Sequence, residues 1–130
     1  MKNGRQVVLI VEDDHLIRMS VVDLALSAGY EALEAGDADE AIHILELRDN
    51  IDLVFTDVQM PGTMDGIKLA HYIRDRWPPV KLVVASGAAI LEESMLPDGS
   101  LFFPKPYKEL AITEAMAHLL SGESPSAYTI

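Results

Sequence analysis

Four places in the chain concentrate reactive polar side chains, and each follows an apolar run. Glu12-Asp13-Asp14 comes after Val7-Val8-Leu9-Ile10-Val11, and Asp57 after Ile51 to Thr56. Ser86 follows Val80 to Ala85, and Lys105 stands just beyond Ser100 to Phe103. Carboxylates gathered in one crevice repel each other, and a small hard cation with oxygen ligands relieves the repulsion. Mg²⁺ is the expected ion, because it takes a few carboxylates, keeps several waters and leaves room for a phosphate oxygen. A carboxylate at the end of a buried strand, as Asp57 would be, is costly to desolvate without a task. Such a group can act as a nucleophile towards phosphorus and form an acyl phosphate. Phosphoryl transfer then calls for neutralised charge on the equatorial oxygens, which the metal and the Lys105 ammonium would supply, with the Ser86 hydroxyl close by. Plainer roles compete. Asp is a favoured helix N-cap, and for Asp14 that is the preferred reading. A single strand-end Ser is commonly structural and a single Lys commonly solvated; it is their joint placement that points to a site.

The elements that must position these residues can be read from apolar periodicity. Val7–Val11, Ile51–Thr56 and Val80–Ala85 are short and rich in β-branched residues, as strands covered on both faces are. Tyr30–Glu34 and Ser100–Phe103 are weaker strand candidates. Ile17, Val21, Leu24, Ala25 and Ala28 recur at helical spacing, as do Ala38, Ala41, Ile42 and Leu45. Ala70, Ile73 and Trp77 predict a third helix, and Ile112, Met116, Leu119 and Leu120 a last one that Ser121-Gly122 closes. The stretch Gly87 to Gly99, with Pro97 inside it, has room for about two helical turns. Strand and helix thus alternate five times. Short helices between buried strands imply right-handed crossovers onto a parallel sheet, a doubly wound α/β fold whose ligands sit beyond the carboxyl ends of the strands.

The chain has 130 residues, enough for one domain. No apolar run approaches the roughly 20 residues of a membrane-spanning helix. Met1 to Gln6 is polar and lacks the features of a secretory signal, so a cytoplasmic location is expected. With no cysteine, disulfides, thiolate metal sites and cysteine nucleophiles are excluded. A net charge of -11 speaks against direct contact with nucleic acid or anionic lipid and favours a protein partner. Residues 1–122 are expected to form the domain, and 123–130, which carry Ser and Pro without periodicity, a disordered tail. His15, His43, His71 and His118 lack the spacing of a helical metal pair, and no P-loop or Gly-x-Gly-x-x-Gly run is present.

Val11-Glu12-Asp13-Asp14 with Arg18, the run Asp57 to Gly66, Ser86-Gly87 and Lys105-Pro106 together resemble the receiver-domain signature of two-component signalling. The resemblance spans Val7 to Gly122 and implies a (βα)5 fold of flavodoxin-like strand order 2-1-3-4-5. Registered on Arg18, it implies that Glu12 and Asp13 are the acid pair, with Asp13 a direct metal ligand and Glu12 acting through water. It makes Asp57 the phosphoacceptor and has Gln59 offer its backbone carbonyl to the metal. It further implies a cis Lys105-Pro106 peptide that aims the lysine, and it puts Phe102 at the aromatic switch position beside Ser86, although an ordinary core role fits Phe102 equally. Ser86 stands where Thr is commoner. Ala85-Ser86-Gly87 and Phe103-Pro104-Lys105-Pro106-Tyr107 are similar to a stand-alone subgroup of receivers. The implied donor is a sensor histidine kinase or phosphotransfer protein, and the output an altered contact with a protein the sequence does not name, or use as a phosphate sink. Two other classes compete. A haloacid-dehalogenase-type phosphatase would need a second Asp two residues after the nucleophile, where this chain has Gln59. A pseudo-receiver usually lacks an acid or the lysine, and all are present here.

Overall fold

The computed structural model describes residues 5–62, 64–87 and 93–121. Five parallel strands, β1 (Val7–Val11), β2 (Glu31–Ala35), β3 (Leu53–Asp57), β4 (Lys81–Ser86) and β5 (Leu101–Pro104), form one sheet in the order β2-β1-β3-β4-β5. The helices are α1 (His15–Ser27), α2 (Ala38–Leu47), α3 (Gly66–Arg76) and α4 (Glu109–Ser121). The doubly wound α/β architecture expected from the sequence is present. Strand limits move by a few residues: β2 ends at Ala35 and β3 reaches Asp57, because backbone pairing with β1 and β4 continues that far.

The sheet separates two apolar layers by simple alternation. Val7, Leu9, Val11, Val54, Leu82 and Val84 face the layer completed by α2 and α3. Val8, Ile10, Leu53, Phe55, Val83 and Ala85 face the layer completed by α1 and α4. Both faces of β1 and β3 are therefore buried, which explains why these strands read as unbroken apolar runs. Burying a side chain such as Leu9 or Phe55 stabilises the fold by about 1.5–3 kcal/mol.

Three helices start on an aspartate whose side chain accepts a backbone N–H three residues on: Asp14 from Ile17, Asp37 from Glu40 and Asp65 from Lys68. Asp14 is thus an N-cap, as its position suggested. After α1 the chain reverses at Gly29, whose φ of 96° is the left-handed conformation glycine adopts most readily. Trp77 caps α3 and is not part of it. Between β4 and β5 the described residues contain a 3₁₀ turn, Glu93–Met95, and the remainder of the short helix expected there, 88–92, lies outside them. So do Gly122 and the expected tail, 123–130.

Candidate functional site

Strand register decides which residues meet. Val11 pairs with both Ala35 and Thr56, and Asp57 with Ala85, so β1, β3 and β4 end within two residues of one another at one edge of the sheet. Two further backbone bonds lock that edge, Val58 N–H to Ala85 O at 2.9 Å and Lys105 N–H to Ser86 O at 2.8 Å. Glu12, Asp57 and Ser86 are buried there, and Asp13 is exposed beside them.

Carboxylate oxygens of Glu12, Asp13 and Asp57, one from each, lie within 4.8 Å of one another. Lys105 Nζ stands 2.8 Å from Asp57 Oδ1 and 3.5 Å from Glu12 Oε1. The shorter contact pairs the ammonium with a carboxylate that is almost wholly buried. Three carboxylates offering one oxygen each at close range, with only one ammonium among them, are a donor set suited to a hard divalent cation. Mg²⁺ therefore fits the residues present. The peptide preceding Pro106 is cis, as the resemblance implied.

Burial raises the Glu12 carboxyl from 4.5 to about 7, with the Asp57 charge and a hydrogen bond to Asp13 adding to the rise. The Asp14 N–H, 3.1 Å from Glu12 Oε2, and the Lys105 charge oppose it. Burial alone would lower the Lys105 ammonium, but its contacts with Asp57 and Glu12 outweigh that and raise it. The lysine is charged at every physiological pH.

Of the remaining expected residues, Gln59 is exposed on the loop after β3 and, with Asp13 and Asp65, lines a recess of about 470 Å³. Ser86 lies one residue past the strand partner of Asp57. Phe102 is half-buried in the layer that also contains Leu96, on the face opposite Phe103. Three contributors had no role assigned to them from the sequence, although Gly66 and Tyr107 lie within the runs quoted above. Gly66 begins α3 so close to β3 that a Cβ would collide with the carbonyl oxygen of Asp57 and sit 2.8 Å from Val58 Cα. Its signal was a glycine directly after the N-cap Asp65, where helix propensity gives no reason for one. Thr56 donates its hydroxyl to Asp57 O at 2.9 Å, bracing the main chain at Asp57. Tyr107, edge-on to Phe55, lines a groove of about 570 Å³ with Leu16, Ile17, Pro106 and Lys105.

Comparison with known proteins agrees with this geometry. Residues 8–117 match the family described as the response regulator receiver domain. The response regulator protein FleR of Pseudomonas aeruginosa is 36% identical over 123 residues, a stretch that covers 92% of this chain and 26% of FleR. The chain thus spans about a quarter of that relative's length. The crystal structure of the receiver domain from the hybrid histidine kinase CckA superposes with a TM-score of 0.74 at 33% identity, covering 88% of this chain and 98% of that one. The response regulator TrrA of Thermotoga maritima, solved in complex with Mg²⁺ and BeF, gives a TM-score of 0.72 at 26% identity, with 88% and 99% covered. With the matched residues spanning nearly all the described chain and the acidic cluster at the strand ends where such a site belongs, this chain belongs to the response regulator receiver domain family.

Proposed function

We propose that Asp57 accepts a phosphoryl group from a phosphohistidine on a sensor histidine kinase or phosphotransfer protein, in a reaction that depends on Mg²⁺. The observation that carries the reading is the clustering of Glu12, Asp13 and Asp57 with Lys105 Nζ 2.8 Å from Asp57 Oδ1. Glu12, Asp13, Asp57 and the backbone carbonyl of Gln59 would hold the metal, with Asp13 a direct ligand and Glu12 acting through water. When bound, Mg²⁺ offsets negative charge on the transferring group. A carboxylate oxygen of Asp57 forms the new O–P bond as the N–P bond of the donor breaks, and the electron pair of that bond stays with the imidazole. Lys105 neutralises charge on an equatorial oxygen. The similarity to TrrA, whose solved complex contains Mg²⁺ and BeF, supports this assignment.

The donor would dock over the groove beside Lys105, where Leu16 is 77% exposed on the first turn of α1. Once phosphorylated, Asp57 would draw the Ser86 hydroxyl inward and shift Phe102 and the β4–β5 segment. That change biases an equilibrium between two conformations and alters contact with a partner protein, unless the chain serves as a phosphate sink. Phosphate acceptance and autodephosphorylation are the only chemistry assigned, with no turnover of a separate substrate. Residues 1–122 would constitute the receiver domain. No helix among the described residues is long and apolar enough to cross a membrane. A cytoplasmic location and a lack of direct contact with nucleic acid or membrane complete the reading, in keeping with the net charge of -11.

Intact-mass spectrometry after incubation with acetyl phosphate tests it. A single, Mg²⁺-dependent, base-labile phosphate on the native chain and none on a folded Asp57→Ala variant is the expected result. Phosphate on that variant, or none on the native chain with no release of inorganic phosphate, would overturn the assignment.

A further inference from the structure

Among the described residues, Arg18 is the one cation besides Lys105 that reaches the acidic loop, and it does so through the main chain. Its Nη1 donates to the carbonyl oxygen of Glu12 at 2.8 Å, its Nε to Glu34 Oε1 at 3.0 Å, and its Nη2 lies 3.1 Å from His15 Nδ1. The side chain is only 18% exposed, and its backbone is fixed in the first turns of α1 by the bond from Arg18 N–H to Asp14 O. Glu12 has just left the sheet. Its N–H still pairs with Ala35 O at 3.0 Å, whereas its carbonyl is taken by the guanidinium. That carbonyl belongs to the planar peptide group joining Glu12 to Asp13, so a donor that fixes the oxygen also fixes the orientation of Asp13 Cα. The two side-chain oxygens of Glu12 are held by Lys105 and by the Asp14 N–H.

We infer that Arg18 is a positioning residue for the metal site: braced against Glu34 on β2, it sets the Glu12–Asp13 peptide so that both carboxylates face Asp57. The inference rests on the metal reading above and extends it to a residue that ligates nothing. Geometry and charge predict opposite signs here. A guanidinium near a cation site repels the cation, so its removal would tighten Mg²⁺ binding if charge were all that mattered. If it orients the ligands, its loss weakens binding, as the loss of groups that orient metal ligands does by roughly 10- to 100-fold.

Isothermal titration of Mg²⁺ into the unphosphorylated native chain, Arg18→Ala and Arg18→Lys, with circular-dichroism melts of each, separates the two. Affinity about tenfold or more weaker in both variants, with folding retained, is the expected result. Arg18→Lys keeps the charge but cannot hold Glu12 O, Glu34 and His15 together, and it decides the matter should Arg18→Ala fail to fold. Unchanged or tighter binding by a folded variant, when the native chain binds, would overturn the positioning role alone. A native chain that binds no Mg²⁺ would overturn the metal reading and this inference with it.

Discussion

Glu12 is a buried acid held at a raised pKa by its surroundings, and the consequence can be worked out in sign. A folded-state value of about 7 against 4.5 means that the folded, metal-free protein binds the proton more tightly than the unfolded chain does. The associated stability is complete below pH 4.5 and is lost as pH rises through about 7. Denaturant melts of the metal-free protein should show this as a loss of up to about 3 kcal/mol across that window, flattened in Glu12→Gln. A metal needs the deprotonated acid, so Mg²⁺ affinity should climb over the same interval. Lys105 bears on the same balance, because its ammonium pairs with both Asp57 and Glu12. In Lys105→Met, an NMR titration should place the Glu12 transition above its native position. The rate of phosphorylation by acetyl phosphate should fall on the order of 100-fold, the usual loss when one preorganised charge stabiliser is removed.

At the level of elements, the site depends on how closely α3 and α1 start beside the strand ends. Gly66 N–H donates to Val58 O at 2.9 Å, and any β-carbon there meets the main chain of Asp57. Backbone cannot give way as a flexible side chain can. Gly66→Ala should therefore lower stability in a urea melt by about 1–3 kcal/mol or more and slow phosphorylation as well, since relief of the clash displaces the acceptor. Asp14→Ala offers a contrast. Its side chain caps α1 through a 3.0 Å bond to Ile17 N–H, while the contact to Glu12 comes from its backbone. The expected outcome is a loss of about 1 kcal/mol in the same melt with phosphorylation retained.

For the molecule as a whole, a ligand that binds only the folded state stabilises it by mass action. At a Mg²⁺ concentration about 100 times the dissociation constant, the gain is about 2.7 kcal/mol, read as a higher melting temperature. The gain should disappear in Asp13→Asn and be largest above pH 7, where Glu12 is ionised. The same measurement relates the acidic edge to global stability. Three carboxylates at one edge of a sheet repel one another in the metal-free protein, and they do so with Lys105 as the sole ammonium paired to them among the described residues.

The alternation of buried runs and helical periods was enough, by itself, to determine the α/β class and the parallel sheet, because a strand covered on both faces must be apolar throughout and a helix covered on one face must repeat near 3.6 residues. The acids at 12, 13 and 57, and Lys105, were legible for the same reason: each is a polar residue directly after or near such a run, so it had to lie at a strand end. What remained beyond reach were relations between distant segments. Only the register of β3 against β1 and β4 brings Asp57 to the edge with Glu12, and only the three-dimensional path after β5 puts Lys105 2.8 Å from Asp57. The approach of Gly66 to the Asp57 carbonyl, the brace from Thr56 and the reach of Arg18 to Glu12 O leave no periodic trace in the sequence. Periodicity records which face of an element is buried. Contact distances and the electrostatic shifts that depend on them arise only once the elements pack, which is why the tertiary structure decided them.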